Sequence, residues 1–171
     1  IDGPFCVFQS AALGRKCFRN FGGGGGSGPH TMRWGLEQSR NLMTVRAAND
    51  SGMKNVADTF RAMNIGDYPP YLAFALGAGD TTVLKMTNAY SMLVNHGREL
   101  KPTVIDFVQS RNGKVIWPTR WKPCDGCNAK DWDGKAMPRF KPGGKQVMDP
   151  VTAYQVVHML EGVVQRGTAT I

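Results

Sequence analysis

Apolar residues at helical spacing run through most of this chain, and that periodicity limits the fold more than any other feature. From Thr31 the pattern turns helical, with Leu36, Arg40 and Met43 in step. Asn49-Asp50-Ser51 reads as a cap cluster for a second helix carrying Met53, Val56, Phe60 and Met63. Gly66 and Pro69-Pro70 stop that helix, and Tyr71 to Leu76 is an apolar run of ambiguous type. Asp80-Thr81 can cap a long amphipathic helix that buries Val83, Met86, Tyr90, Leu93 and Val94 and stops at Gly97. Asp149-Pro150 opens a last helix, with Ala153, Val157, Leu160 and Val164 as its apolar face and Gly167 as its end. Against this stands one strong β signal, Asn112-Gly113 between Thr103–Gln109 and Lys114–Trp117. The fold class is therefore α+β and mostly α, with one hairpin and an incomplete or missing central sheet.

The remaining segments constrain the chain less. Residues 1–21 are a short apolar opening, followed by five glycines from Gly22 to Gly26. Such a run has no preferred backbone conformation and reads as a mobile loop or an engineered linker. Residues 118–147, rich in Pro, Gly, Lys and Trp, look like a surface excursion. The four cysteines are Cys6, Cys17, Cys124 and Cys127. Two local disulfides, Cys6–Cys17 and Cys124–Cys127, are expected of an exported protein. The rival is a zinc site on the Cys124-Asp125-Gly126-Cys127 knuckle, but zinc ribbons usually supply two tight knuckles, and Cys6 and Cys17 do not form the second. Lysine and arginine outnumber aspartate and glutamate by 21 to 13, a net charge of +8, yet without a basic run of five or a nucleic-acid motif, so scattered surface charge is the simpler account. No stretch approaches the roughly 20 apolar residues that span a bilayer. The chain opens at Ile1-Asp2-Gly3 with no initiator Met or signal peptide, and is read as an excised piece of a longer protein.

One triplet sits awkwardly in the helical pattern. Ser39 and Asn41 flank Arg40, and on a regular helix residues two apart point about 200° away from each other. If both serve one site, the helix must break between them. The bland alternative is that they cap a break between two helices. The surrounding words decide how the triplet is read. Gly28-Pro29-His30-Thr31-Met32-Arg33 resembles the G-P-x-T-x-R lead-in of class A penicillin-binding proteins, and Ser39-Arg40-Asn41 with Leu42-Met43-Thr44-Val45-Arg46 resembles their S-x-N motif and the helix after it. Ala75-Leu76-Gly77-Ala78-Gly79 before Thr81-Thr82 is similar to an A-L-G segment of that family. The run Glu161-Gly162-Val163-Val164 followed by Gly167-Thr168-Ala169 is similar to the one that precedes its K-T-G motif.

The resemblance implies the transpeptidase domain, its helical lobe over 29–97, a hairpin and Cys-pinned excursion over 101–147, and a helix over 149–171 leading toward the K-T-G strand. It further implies acyl transfer through a serine activated by the lysine of S-x-x-K. In that chemistry Ser39 relays a proton, since a hydroxyl both donates and accepts, and Asn41 holds the substrate amide, since its carboxamide does the same. Arg40 is expected to face away. The implied partners are peptidoglycan stem peptides and β-lactams, with no cofactor, metal or nucleic acid, and the parent protein is expected to be membrane-anchored and to face the periplasm.

The family pattern is incomplete in this sequence. Ser51-Gly52-Met53-Lys54 spells S-x-x-K but lies after Ser39, whereas the family's nucleophile precedes S-x-N, and Ser10 is followed by Ala11-Ala12-Leu13. No K-T-G or K-S-G occurs. The chain alone is therefore expected to be inactive and, with apolar faces left uncovered, to self-associate. His30, His96 and His158 show no ligand or triad spacing and read as structural or surface residues. Trp117, Trp121 and Trp132 interleave with Lys114, Lys122, Lys130 and Lys135, a pattern that fits a binding surface or, more simply, a local mini-core under the Cys pair. Two other classes stay open: a basic, zinc-stabilised module for an anionic polymer, and a scaffold that kept the fold without catalysis.

Overall fold

The computed structural model describes residues 1–12, 14–117, 131, 134–136 and 144–170. The opening segment is a hairpin that its short apolar pattern did not announce. Strands β1 (Phe5–Ser10) and β2 (Gly14–Phe18) pair antiparallel with Cys6 opposite Cys17. A disulfide joins those two cysteines. The expected Cys6–Cys17 pairing therefore holds, and these thiols are not available as zinc ligands. Cys124, Cys127, Trp121, Lys122 and Lys130 lie outside the described residues, as does Trp132.

The glycine run is less of a spacer than its composition implies. Phe21–Gly23 form a short 3-10 turn. Gly26 has φ 98°, and a Cβ there would overlap the Asp2 carbonyl. That close approach is needed because Asp2 and Gly28 pair through their backbones, N–H to O, at 2.7 and 2.9 Å.

Among the described residues, five α-helices follow the expected order. Helix α1 (Met32–Glu37) is capped by Thr31, whose hydroxyl accepts from the Trp34 amide. Helix α2 (Asn41–Ser51) carries Leu42, Val45 and Ala48 inward. Helix α3 (Met53–Ala62) begins at Gly52, where φ is 82° and no side chain caps the helix. Asn49-Asp50-Ser51 is thus the last turn of α2 rather than a cap for α3, and the break falls at the one residue free to turn left-handed. Helix α3 is closed at Met63, and Asn64 (φ 56°) turns the chain ahead of Gly66. Leu72–Leu76 is a 3-10 helix. Helix α4 (Val83–Val94) is capped by Thr82, one residue past the expected pair. Helix α5 (Pro150–Arg166) is capped by Asp149, whose carboxylate accepts from the Val151 and Thr152 amides.

The second hairpin is where Asn112-Gly113 placed it. Strands β3 (Val108–Gln109) and β4 (Val115–Trp117) are short, and Gly113 turns at φ 77°. The described residues thus hold two separate two-stranded sheets. One buried cluster joins Met63, Ala89 and Met92, with Ile65, Leu93, Val147 and Met148 packed around them, and Leu42, Val45, Ala48, Ala57 and Ala153 are buried as well. The expected burial on α4 differs from the observed one. Ala89, Met92 and Asn88 face inward, while Val83, Met86, Tyr90 and Val94 are exposed. On α5, Ala153 is buried but Val164 is exposed. Amphipathic spacing identifies an apolar face without saying which part of it finds a partner.

Candidate active site

The helical run breaks at the Ser39-Arg40-Asn41 triplet. Gln38 ends α1, Ser39 adopts φ 51°, and α2 begins at Asn41. The amide of Ser39 donates to Leu36 O at 3.1 Å and that of Arg40 to Gly35 O at 2.9 Å. This is the two-bond Schellman ending of a helix, with serine in the left-handed position that usually belongs to glycine. Left-handed backbone costs a residue with a Cβ about 1–2 kcal/mol. Strain of that kind concentrates at functional sites.

Neither side chain of the pair caps the following helix. That task falls to Asn20, whose side-chain oxygen accepts from the Leu42 amide at 3.1 Å. Among the described residues the Ser39 hydroxyl has no hydrogen-bond partner, and Ser39 is exposed. The Asn41 Nδ2 donates to the Arg19 carbonyl at 3.2 Å, which orients the carboxamide from the end of β2. One N–H and the carbonyl oxygen of Asn41 are left over. The turn therefore presents a hydroxyl and a half-used carboxamide that the fold does not consume.

Arg40 points inward. Its Nε and Nη2 donate to Asp2 Oδ2 at 2.9 and 2.6 Å. Asp2 is 1% exposed and also accepts from Asn20 Nδ2 at 2.8 Å, and from the Ser27 amide and hydroxyl at 3.0 and 2.9 Å. Burial alone would raise the Asp2 pKa; the bonds from Arg40, Asn20 and Ser27 outweigh it and hold the carboxyl far below the usual carboxylate range. The guanidinium also sits over the Trp34 ring at 5.6 Å, and Trp34 stacks on His30 at 3.6 Å. His30 is thus a structural residue, bonded through Nε2 to the Ser27 hydroxyl at 3.0 Å.

A second buried carboxylate lies just before the turn. Glu37 is 5% exposed, and its two oxygens meet Arg166 Nη2 and Nε at 2.5 and 3.2 Å. Its carbonyl accepts from the Thr168 amide at 3.0 Å. A Cβ at Gly162 would overlap the Glu37 carboxylate, and one at Gly167 the Glu37 carbonyl. The Gly162 and Gly167 positions of the motif at the chain's C-terminal end are therefore glycine because Glu37 occupies their space. Their motif and S-x-N form one packed unit through α1 and α5. Asp2, Asn20, Glu37 and Arg166 were not singled out in the sequence. Each lies at least 18 positions from its partner, and no local pattern marks such pairs.

Ser51-Gly52-Met53-Lys54 has another use. Lys54 Nζ pairs with Asp58 at 2.7 Å, and the Ser51 carbonyl accepts from Asn55 Nδ2 at 2.8 Å. His158 bonds to Glu161 at 3.2 Å, and among the described residues no group of three His, Cys, Asp or Glu is placed to hold a metal.

Comparison with known proteins decides the family. The family described as "Penicillin binding protein transpeptidase domain" matches residues 10–171. The chain belongs to that family. It is 37% identical to penicillin-binding protein 1A of Rickettsia bellii over 171 residues, covering 98% of this chain and 22% of that protein. Penicillin-binding protein 1A of Rickettsia prowazekii is 33% identical, again over 98% of this chain and 22% of its own length. A crystal structure of penicillin-binding protein 1A from Haemophilus influenzae superposes with a TM-score of 0.75 at 23% identity, over 98% of this chain and 28% of that one. The last comparison carries the fold. The chain thus spans about a fifth of the curated relatives it matches (22% of each). The class A resemblance of the motif words is borne out, and so is the mostly helical architecture with no closed sheet among the described residues.

Proposed function

We propose that this chain supplies the S-x-N element of a D,D-transpeptidase that cross-links cell-wall stem peptides by serine acyl transfer. The observation that carries the reading is the left-handed Ser39, whose hydroxyl makes no bond within the described chain while Asn20 performs the capping it would otherwise explain. Ser39 relays a proton between the S-x-x-K lysine and the attacking or leaving amine, and Asn41 holds the substrate amide through the groups that Arg19 leaves free. The nucleophile and the K-T-G strand come from segments outside these residues. This fits the absence of both motifs in family order and the fraction of the relatives that the chain spans. β-Lactams acylate the same serine as the stem peptide. The Cys6–Cys17 disulfide suits an oxidising compartment, in keeping with a membrane-anchored parent facing the periplasm. No helix among the described residues is long and apolar enough to cross a membrane. The Cys6–Cys17 disulfide weighs against a zinc module that would use those two thiols as ligands. A scaffold without catalysis differs only in whether the complete protein reacts.

The test is acylation by a fluorescent penicillin. The complete protein is expected to form a stable adduct, Ser39→Ala to slow it by roughly 10²–10⁴-fold, the usual range for a lost proton-transfer group, and Asn41→Ala to slow it through the lost hydrogen bonds to the substrate amide. The 171-residue chain alone is expected to form none. An adduct mapped to Ser51 or Ser10 in that chain, or unchanged rates in both variants, defeats the reading.

A further inference from the structure

The middle residue of the triplet is held by a carboxylate 38 positions away, and we infer that Asp2 is a positioning residue for the Ser39-Arg40-Asn41 turn. The inference rests on the proposed roles of Ser39 and Asn41 and says how their geometry is maintained. Asp2 is fixed before it meets Arg40. Its backbone pairs in both directions with Gly28, and its side chain is bonded to Asn20 and Ser27. It then receives two charge-assisted bonds, from Nε and Nη2 of Arg40, on the single oxygen Oδ2. With Arg40 drawn onto Asp2, Ser39 on one side is exposed and Asn41 on the other is half-buried beside the Arg19 carbonyl. The same network reaches Asn41 and Leu42. Asn20 bonds Asp2 through Nδ2 and caps α2 through its oxygen, and the adjacent Arg19 carbonyl orients Asn41. One carboxylate therefore ties together the start of α2, the exit of β2 and the side chain that keeps Ser39 in its left-handed conformation.

The experiment uses the complete protein carrying Asp2→Asn, Arg40→Gln, both together, or Arg40→Lys, with Ser39→Gly alongside. Saturating acylation by a fluorescent penicillin separates the limiting rate from the affinity, and hydrogen exchange follows peptides covering 36–43 and, for comparison, α5. Asp2→Asn and Arg40→Gln are each expected to lower the limiting rate roughly 10–100-fold, the scale of a small misplacement at a reacting centre, with a smaller change in affinity. The double variant is expected to be no slower than the poorer single, as for partners in one interaction, and Arg40→Lys to recover part of the loss. Protection is expected to fall over 36–43 and to persist in α5. Limiting rates within about twofold of the unsubstituted protein in both single variants, or unchanged protection over 36–43, overturn the inference. If Asp2→Asn does not fold, the double variant, which leaves no unpaired buried charge, replaces it: a folded double variant with the original rate and protection overturns the inference equally. Ser39→Gly separates the two ideas. Full acylation there refutes the catalytic role of Ser39, while exchange over 36–43 still decides what Asp2 does.

Discussion

Ser39 trades stability for a hydroxyl. Because glycine occupies its left-handed position without a Cβ penalty, Ser39→Gly is expected to raise unfolding free energy by about 1 kcal/mol while removing the hydroxyl proposed to relay a proton. Urea denaturation checks the first half; a stability loss would mean that the turn is not strained. Gly162→Ala is expected to act in the opposite direction. Its methyl would meet the buried Glu37 carboxylate, and overpacking of this kind costs about 1–3 kcal/mol. Asp2 gives the site a pH signature. Its folded pKa lies below the ordinary value of 3.8, so its contribution is complete above that value and drains away as pH falls beneath it. Acid titration of stability is expected to show a shallower loss below pH 4 for Asp2→Asn than for the unsubstituted protein; parallel curves would refute the contribution. At this scale the triplet was legible through the words around it, which resemble the family's S-x-N motif, and spacing added only that a helix would have to break there for both residues to share a site. Asp2 and Asn20 were not, because a buried polar partner is defined by tertiary approach and leaves no local periodicity.

The elements were legible wherever a capping residue or turn dipeptide stated a boundary. Asp149-Pro150 and Asn112-Gly113 did so, and both mark the observed boundaries. Asn49-Asp50-Ser51 misled, because good capping residues also end helices, and the left-handed Gly52 decided where α2 stops. The hairpin β1–β2 went unread since its strands alternate weakly and no Asn-Gly or Asp-Gly joins them. The cysteine spacing still predicted its cross-link. That link matters beyond the hairpin, because Arg19 and Asn20, just after β2, hydrogen-bond Asn41 and Leu42 across the fold. Replacing Cys6 and Cys17 by serine is expected to lower stability by about 2–3 kcal/mol through the loop closed over 11 positions. A calorimetric change near zero would show that the hairpin is held by pairing alone.

For the whole molecule, the apolar faces read from spacing are real but largely uncovered. Val83, Leu84, Tyr90 and Val94 of α4, Val151 and Tyr154 of α5, and Val104, Ile116 and Trp117 around the second hairpin are all exposed. Helical spacing states that a face is apolar; what covers it depends on neighbours that a local pattern does not name. Faces of this extent usually mark interaction surfaces. The 171-residue chain alone is expected to self-associate, with sedimentation showing a mass that rises with concentration and persists at high salt. A monomer at all concentrations would mean that these faces are not sticky. The claim on which the functional reading turns is that positions 39 and 41 open toward one reacting serine. Its most direct measurement is the crystal structure of the complete protein acylated by a penicillin. Ser39 Oγ is expected within hydrogen-bonding reach of the S-x-x-K lysine, about 2.6–3.2 Å, with Asn41 Nδ2 on the amide of the bound acyl group. An adduct with both side chains turned away from it, and the Arg40–Asp2 pair intact, would contradict the assignment.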